Sequence, residues 1–424
     1  MAKRSSKSLK NAGIEPGRPN VLPRSEVASY ENRGMYSSIV LDNFRGFEHV
    51  ELDDLGTINL LFGPNNSGKT SILEGIYAHA SGLNFQPFFG NVVLRRQDQI
   101  LSGALDMGDK IKSLFRSSSR IPYQFSVTGQ LQNDKRKQAL NVIFRPSAQL
   151  TDLDPRAFGQ ISGGALATRT ASASSQANLW DVSSRGSRIR TAEVPAVFIG
   201  QWTALMTEMR KDWEINFPVS NIPSELPFKL AAFHDILAHR QPEADLRVFS
   251  YLKRYELLPE FTRAMAEVFS GIRSIDIIPY PDGTQSPVYV RGDDDGVIPL
   301  YAYGDGMRRW FYLLGNMLVY KGAVHCIEEI DSTMHPTSQT QFCRRLAEFT
   351  DRFRNQIFLT SHNIEFADAF LKALFGEGGT YTEAASDPVR VYTIHLSHGR
   401  AEVWPLRGRE AFERRAKFGL DLRG

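Results

Sequence analysis

The stretch Ile58-Asn59-Leu60-Leu61-Phe62-Gly63-Pro64-Asn65-Asn66-Ser67-Gly68-Lys69-Thr70-Ser71 decides how this chain is read. Its second half fits the pattern G-x-x-x-x-G-K-[ST] at every fixed position. The spacing has a physical reason. Gly63 and Gly68 let the backbone wrap so tightly that its N–H groups point at phosphate oxygens. Lys69 then reaches the outer phosphates, and the Thr70 hydroxyl is a ligand for Mg²⁺. The apolar run Ile58 to Phe62 predicts a strand ahead of the loop. Behind it, Ile72, Leu73, Ile76, Tyr77 and Ala80 recur at helical spacing. That helix turns its positive N-terminal end toward the same anion. Gly63, Asn65, Asn66, Ser67, Gly68, Lys69, Thr70 and Ser71 are therefore the expected phosphate cradle.

The rest of the chain sets bounds. Its 424 residues are enough for a large core and two lobes. With 42% hydrophobic and 23% charged residues, the composition is that of an ordinary globular protein. No apolar run approaches the roughly 18 residues of a membrane helix, and no signal-peptide pattern opens the chain. Cys326 and Cys343 offer neither a disulfide framework nor a zinc pattern, which points to a reducing cytoplasm. The net charge of +3 is concentrated in residues 1–33, which carry seven basic against three acidic residues. The body is close to neutral, without the global positive field of a dedicated nucleic-acid binder.

In order, residues 1–33 read as a disordered basic tail, a solvated extension or else a nucleic-acid contact. Strands follow at Ser38 to Phe44 and around Val50-Glu51-Leu52, with a turn at Arg45-Gly46-Phe47. The text IVLDNFRGFEHVELDDLGTINLLFGPNNSGKTSILEGIY resembles the opening of an ABC-type ATPase head of the SMC/RecF/OLD-like group. The resemblance implies an α/β fold: a P-loop head assembled from N- and C-terminal segments, with a small antiparallel β-subdomain and an inserted helical lobe. It implies ATP and Mg²⁺ as cofactors. It also places Asn43 and Arg45 beside the base and ribose, where Arg45 stacks on adenine or meets phosphate; the other reading is a surface turn residue. Pro122 to Val127 and Ala139 to Phe144 read as the strands of the β-subdomain, with Lys135-Arg136-Lys137 just before the second. Gln97 and Gln99 both fit the glutamine that couples nucleotide to movement. Residues 157–190, rich in Gly, Ser and Ala and carrying Arg185, Arg188 and Arg190, read as a long mobile loop. Trp202–Trp213, Pro227–Ala238 and Leu246–Phe269 read as helical. His234 and His239, five apart, read as ordinary packed or surface residues, and no coiled-coil heptad appears. The divisions are 1–33, 34–150, 151–275 and 276–424.

The last third completes the resemblance. Gly304-Asp305-Gly306 opens a helix over Met307–Tyr320 and matches the signature loop that reaches the γ-phosphate bound by an opposite subunit. Its Asp305 carboxylate is read as capping its own helix, and Tyr303 stands where a serine is common. Ala323 to Glu329 is an apolar strand ending in two carboxylates. In the family's roles Glu328 helps hold Mg²⁺ together with Thr70, and Glu329 polarises the attacking water. Ile330 to Pro336 resembles the D-loop that touches its twin. Gln356 to Ser361 delivers His362, the switch histidine. Glu329, His362 and Lys69 are thus the expected catalytic set. Residues 389–406 read as a hairpin turning at Ser397-His398-Gly399-Arg400.

These features imply an ATPase whose heads dimerise around ATP. Three uses compete. The first is a switch controlling a separate effector protein, a toxin or nuclease, as in phage-defence systems such as PARIS or Septu. The second, RecF-like, contacts DNA in repair. The third is an OLD-type nuclease or a transporter ATPase; the 62 residues after His362 are too few for a nuclease domain, and the signature loop disfavours a transporter.

Overall fold

Ile58, Leu60 and Phe62 alternate with Asn59 and Leu61, so the strand that they form must bury both faces. In the computed structural model it does, at the centre of a layered α/β fold. The structure describes residues 35–80, 92, 113–118, 123–132, 134–146, 181–182, 188–191, 213–216, 231–280, 286–294, 296–332, 334, 336–381 and 387–422, with backbone alone for 134–216. The tail 1–33, Gln97, Gln99 and most of 157–190 fall outside these residues.

The chain begins with β1 (Tyr36–Asp42), β2 (His49–Leu52), β3 (Ile58–Phe62) and α1 (Lys69–Ala80). Then come β4 (Tyr123–Leu131), β5 (Asp134–Pro146), the short β6 (Asp181–Val182), β7 (Arg188–Thr191) and β8 (Trp213–Asn216), and β9 (Ala231–His234). Helices α2 (Pro242–Arg254) and α3 (Leu258–Val268) lead to β10 (Ile272–Ile277), β11 (Val288–Gly292) and β12 (Val297–Pro299). After them come α4 (Asp305–Val319), β13 (Val324–Ile327), α5 (Pro336–Arg352), β14 (Gln356–Ser361) and α6 (Ile364–Phe375). The chain closes with β15 (Val389–Ser397), β16 (Arg400–Arg407) and α7 (Gly408–Phe418).

Among the described residues, thirteen strands form one mixed sheet in the order β6-β7-β5-β4-β1-β2-β16-β15-β3-β14-β13-β9, with β8 beside β5. The run β15-β3-β14-β13-β9 is parallel throughout. Helix α1 packs with Leu61, Cys326 and Phe358 on one face. Helices α2 to α7 cover Ile58, Leu60, Phe62, Ile357 and Leu359 on the other. A Cβ at Gly315 of α4 would lie 2.3 Å from Val248, so glycine lets α2 approach closely. Gln356 ties the strand ends together, donating to the carbonyls of Tyr36 and Gly56 and accepting from the Tyr36 amide. Cys326 and Cys343 are buried free thiols.

Three expectations change. Residues 231–234 are a strand, not part of a helix: all four side chains are buried, and the segment runs parallel to β13. The helix expected over 246–269 is two, broken at 255–257, where Glu256 takes φ +57°. The antiparallel pair β4 and β5 continues the main sheet through β1, and the separate antiparallel sheet is β10-β11-β12. No described helix is long and apolar enough to cross a membrane.

Candidate functional site

The parallel register decides which residues meet. Phe62 lies opposite Ser361 and Ile327 opposite Leu359, so β3, β13 and β14 end at one edge of the sheet. Gly63, Glu328 and His362 therefore emerge side by side, at the edge where ligands of such sheets bind.

The loop after β3 needs its glycines. Gly63 has φ +147°, and a Cβ there would lie 2.4 Å from the Ile394 carbonyl. Gly68 has φ +86°, and a Cβ there would sit 2.3 Å from the Phe47 ring. Asn66 also takes a left-handed conformation, φ +65°. Lys69 points back into the loop, its ammonium donating to the carbonyls of Gly63 at 2.8 Å and Pro64 at 2.7 Å. Its charge thus lies against the carbonyls of the loop. Burial pushes its pKa down from the usual lysine range, and the Glu329 carboxylate opposes that shift. Ser67 is buried beside it, whereas Asn65 and Asn66 are exposed at the loop tip and Ser71 is half-buried.

Thr70 donates to Glu328 Oε1 at 2.7 Å, joining the first turn of α1 to the end of β13 across 258 residues. A hydroxyl and a carboxylate in contact beside a phosphate cradle are oxygen donors that would suit Mg²⁺, with water and phosphate supplying the remaining ligands. Among the described residues no cluster of three His, Cys, Asp or Glu could hold a metal without such help. Glu329 adopts φ +42°, strained for a residue with a side chain. Its amide is held by Thr360 Oγ1 at 2.9 Å, and its carboxylate lies 3.4 Å from His362 Nδ1. Both side chains are partly exposed. Asn363 caps α6 through the amides of Glu365 and Phe366, which fixes the turn that carries His362.

The sequence reading missed Arg309. This guanidinium is 2% exposed and donates to the carbonyls of Glu328 at 2.7 Å and Glu329 at 2.9 Å, and to the Ser332 hydroxyl. It holds the backbone of both carboxylate residues, including the strained Glu329, from behind. Burial pulls its pKa down to about 10, opposed by Asp331, Asp235, Glu328 and Glu329. An arginine on the apolar side of the helix opening at Gly304 was the available signal. His234 and His239 are both buried, and His234 Nε2 lies 2.9 Å from His325 Nδ1 beneath the strand ends.

Two readings are corrected. Arg45 is not the surface turn residue of the second reading; it turns inward against α1. It is buried, with Nε 2.7 Å from the Glu74 carboxylate and further bonds to Ser113 and the Val92 carbonyl. Its work is to clamp the 43–48 turn to α1. That turn reaches the phosphate loop through Phe47, while Asn43, at φ +55°, lies in the turn itself. Asp305 does not cap α4. The N-cap is Gly304, without a side-chain cap, and the Asp305 carboxylate pairs with Arg240, with His239 and Arg308 near it. This pairing removes the repulsion that a free carboxylate would offer an anion at the Gly304–Gly306 amides. A Cβ at Gly304 would meet nothing within 4 Å among the described residues, so their packing does not require glycine there.

A strand–loop–helix phosphate cradle, two carboxylates and a histidine on one edge of a parallel sheet define an ABC-type ATPase head of the SMC/RecF-like group. The chain belongs to the family described as "AAA domain, putative AbiEii toxin, Type IV TA system", whose model matches residues 58–368. It is 21% identical over 340 residues to an ATP/GTP phosphatase of Helicobacter pylori, covering 79% of this chain and 87% of that protein. It is 34% identical over 84 residues to the DNA replication and repair protein RecF of Yersinia enterocolitica, a match spanning 19% of this chain and 23% of RecF. An SMC head bound to the C-terminal winged-helix domain of ScpA superposes with a TM-score of 0.48 at 13% identity, covering 89% of this chain and 99% of that one.

Proposed function

We propose that this ATPase is a molecular switch: two copies close around ATP, hydrolysis reopens them, and the change controls a separate effector protein. The observation that supports it most is the convergence of Lys69, the Thr70–Glu328 pair and the Glu329–His362 pair at one sheet edge. The phosphate loop amides and Lys69 would bind the triphosphate, and Thr70 with Glu328 would hold Mg²⁺, which would supply charge neutralisation at the phosphates. Glu329 would accept a proton from water, and His362, 3.4 Å from it, would orient that water or the terminal phosphate. Arg309 keeps both carboxylates in register. The open side of Gly304 supports the second half of the reading, because amides at a helix N-terminus with free space before them suit a phosphate carried by another copy.

The family description, a putative toxin of a type IV toxin–antitoxin system, supports work within a paired system of that kind, and anti-phage defence is the setting we propose for it. The 84-residue kinship to RecF supports a rival reading, direct action on DNA in repair. The experiment is Glu329→Gln. The amide still bonds water but cannot take its proton, so hydrolysis should fall by about 10² or more while ATP-dependent dimers accumulate on sizing. Unchanged turnover would move the base elsewhere. Tight DNA binding that falls steeply with salt would favour the repair reading.

A further inference from the structure

Beside the signature turn lies a cavity of about 330 Å³ that the ATPase reading does not use. Glu243 and Asp245 of the first turns of α2 form its acidic end. Val288 and Leu300 add apolar lining, and the exposed Tyr280 and Tyr301 line it as well. Asp245 is the informative residue. Its side chain is 7% exposed, yet among the described residues its Oδ1 has no hydrogen-bond partner, and its Oδ2 is 3.9 Å from Arg308, too far for a hydrogen bond. Burial raises its pKa from 3.8 to about 7, with Arg308 opposing. A buried carboxylate so poorly satisfied is costly unless something pairs with it.

We propose that this cavity binds a cation on an apolar stem, a guanidinium or ammonium group that pairs with Asp245 and Glu243 and passes between the rings of Tyr280 and Tyr301. Aromatic rings in the lining suit such a cation, and the aliphatic residues suit its stem. The volume is at the small end of ligand pockets, right for one long basic side chain or a free amine of that size. The cavity also touches the nucleotide machinery. Leu300 and Tyr301 belong to the turn that runs into Gly304. Arg308, on α4, stands between the two acids, 3.9 Å from Asp245 and 4.0 Å from Asp305, with its Nη2 bonded to the His239 carbonyl. A cation on Asp245 takes over that half of its field and shifts Arg308 toward Asp305, so occupancy is felt at the signature helix.

The test is calorimetry on the full chain without nucleotide, so that its failure leaves the ATPase reading untouched. Agmatine and the capped tripeptide Ac-Leu-Arg-Leu-NH2 are the probes. Both should bind saturably. Asp245→Asn, which keeps the shape, should weaken both at least tenfold, the scale of one charge-assisted pair (about 1.4 kcal/mol or more). Tyr301→Ala, at an exposed position that cannot upset the core, should weaken them several-fold. Peptide binding tighter than agmatine supports a polypeptide partner; equal or weaker binding supports a free amine. Absence of saturable binding, or the same affinity in Asp245→Asn, overturns the site. Saturating agmatine should also change ATP turnover several-fold in wild type and not in Asp245→Asn; demonstrated binding with unchanged turnover overturns the coupling.

Discussion

Arg309→Met removes a buried cation while keeping most of the side-chain volume. The structure sets the size of the loss. Three donated bonds go at once, to the carbonyls of Glu328 and Glu329 and to the Ser332 hydroxyl. Bonds to a charged donor are worth about 1.5–3 kcal/mol each, but they act as one unit and do not add. The Arg309 charge also faces Asp331, whose Oδ1 has no hydrogen-bond partner among the described residues and would be left with less compensation. Breaking a buried charged network of this kind costs about 3–5 kcal/mol. Arg309→Lys keeps the charge but cannot fork between two carbonyls, so it should lose about 1–3 kcal/mol. Urea denaturation reads both losses. Because Glu329 sits at φ +42°, the lysine variant should also lower turnover more than ATP affinity. A methionine variant within about 0.5 kcal/mol of wild type, the range of neutral surface changes, would refute the clamp.

Two further outcomes follow from buried charges. Arg45→Met leaves Glu74 buried without its ion-pair partner and should cost about 3–5 kcal/mol, whereas the double variant Arg45→Met/Glu74→Leu should recover much of it; equal destabilisation of single and double variants in urea would contradict the ion-pair account. Asp245 has a folded pKa raised to about 7, so between about pH 4 and 7 the folded state holds a proton that the unfolded state has released, and stability falls as pH rises through that window. Asp245→Asn should therefore gain on wild type from pH 5 to pH 8 in thermal melts, and a pH-independent difference would show that the carboxylate is not buried as described.

The phosphate loop, the two carboxylates and the histidine were legible because each is a short local pattern at a strand end, and parallel strands bring such ends together without further information. The partners of Arg309 and Asp305 were not. Arg309 binds backbone carbonyls 19 and 20 residues away, and Asp305 pairs with Arg240, 65 residues earlier. Neither partner is written in the local pattern. The Arg45–Glu74 pair was hidden for the same reason, since only the fold brings Glu74 beneath Arg45. Ala231 to His234 was misread because a short apolar run bordered by prolines and helix formers has no period to separate a buried strand from a helix. The strands β10 to β12 are three to six residues long, and β12 is only half-covered, so their alternation is too brief to stand out.

The claim that one copy completes the other's site can be tested by mixing two broken chains. Lys69→Ala disables the phosphate loop. Gly304→Glu places a carboxylate at the signature turn, where a Cβ meets nothing within 4 Å among the described residues and φ is −63°, so the fold should tolerate it. Each variant alone should be inactive. If ATP lies between copies, a mixed dimer holds one site with both halves intact, and an equimolar mixture should recover about a quarter of wild-type ATP turnover. Turnover no higher than the mean of the two separate variants would contradict the shared site.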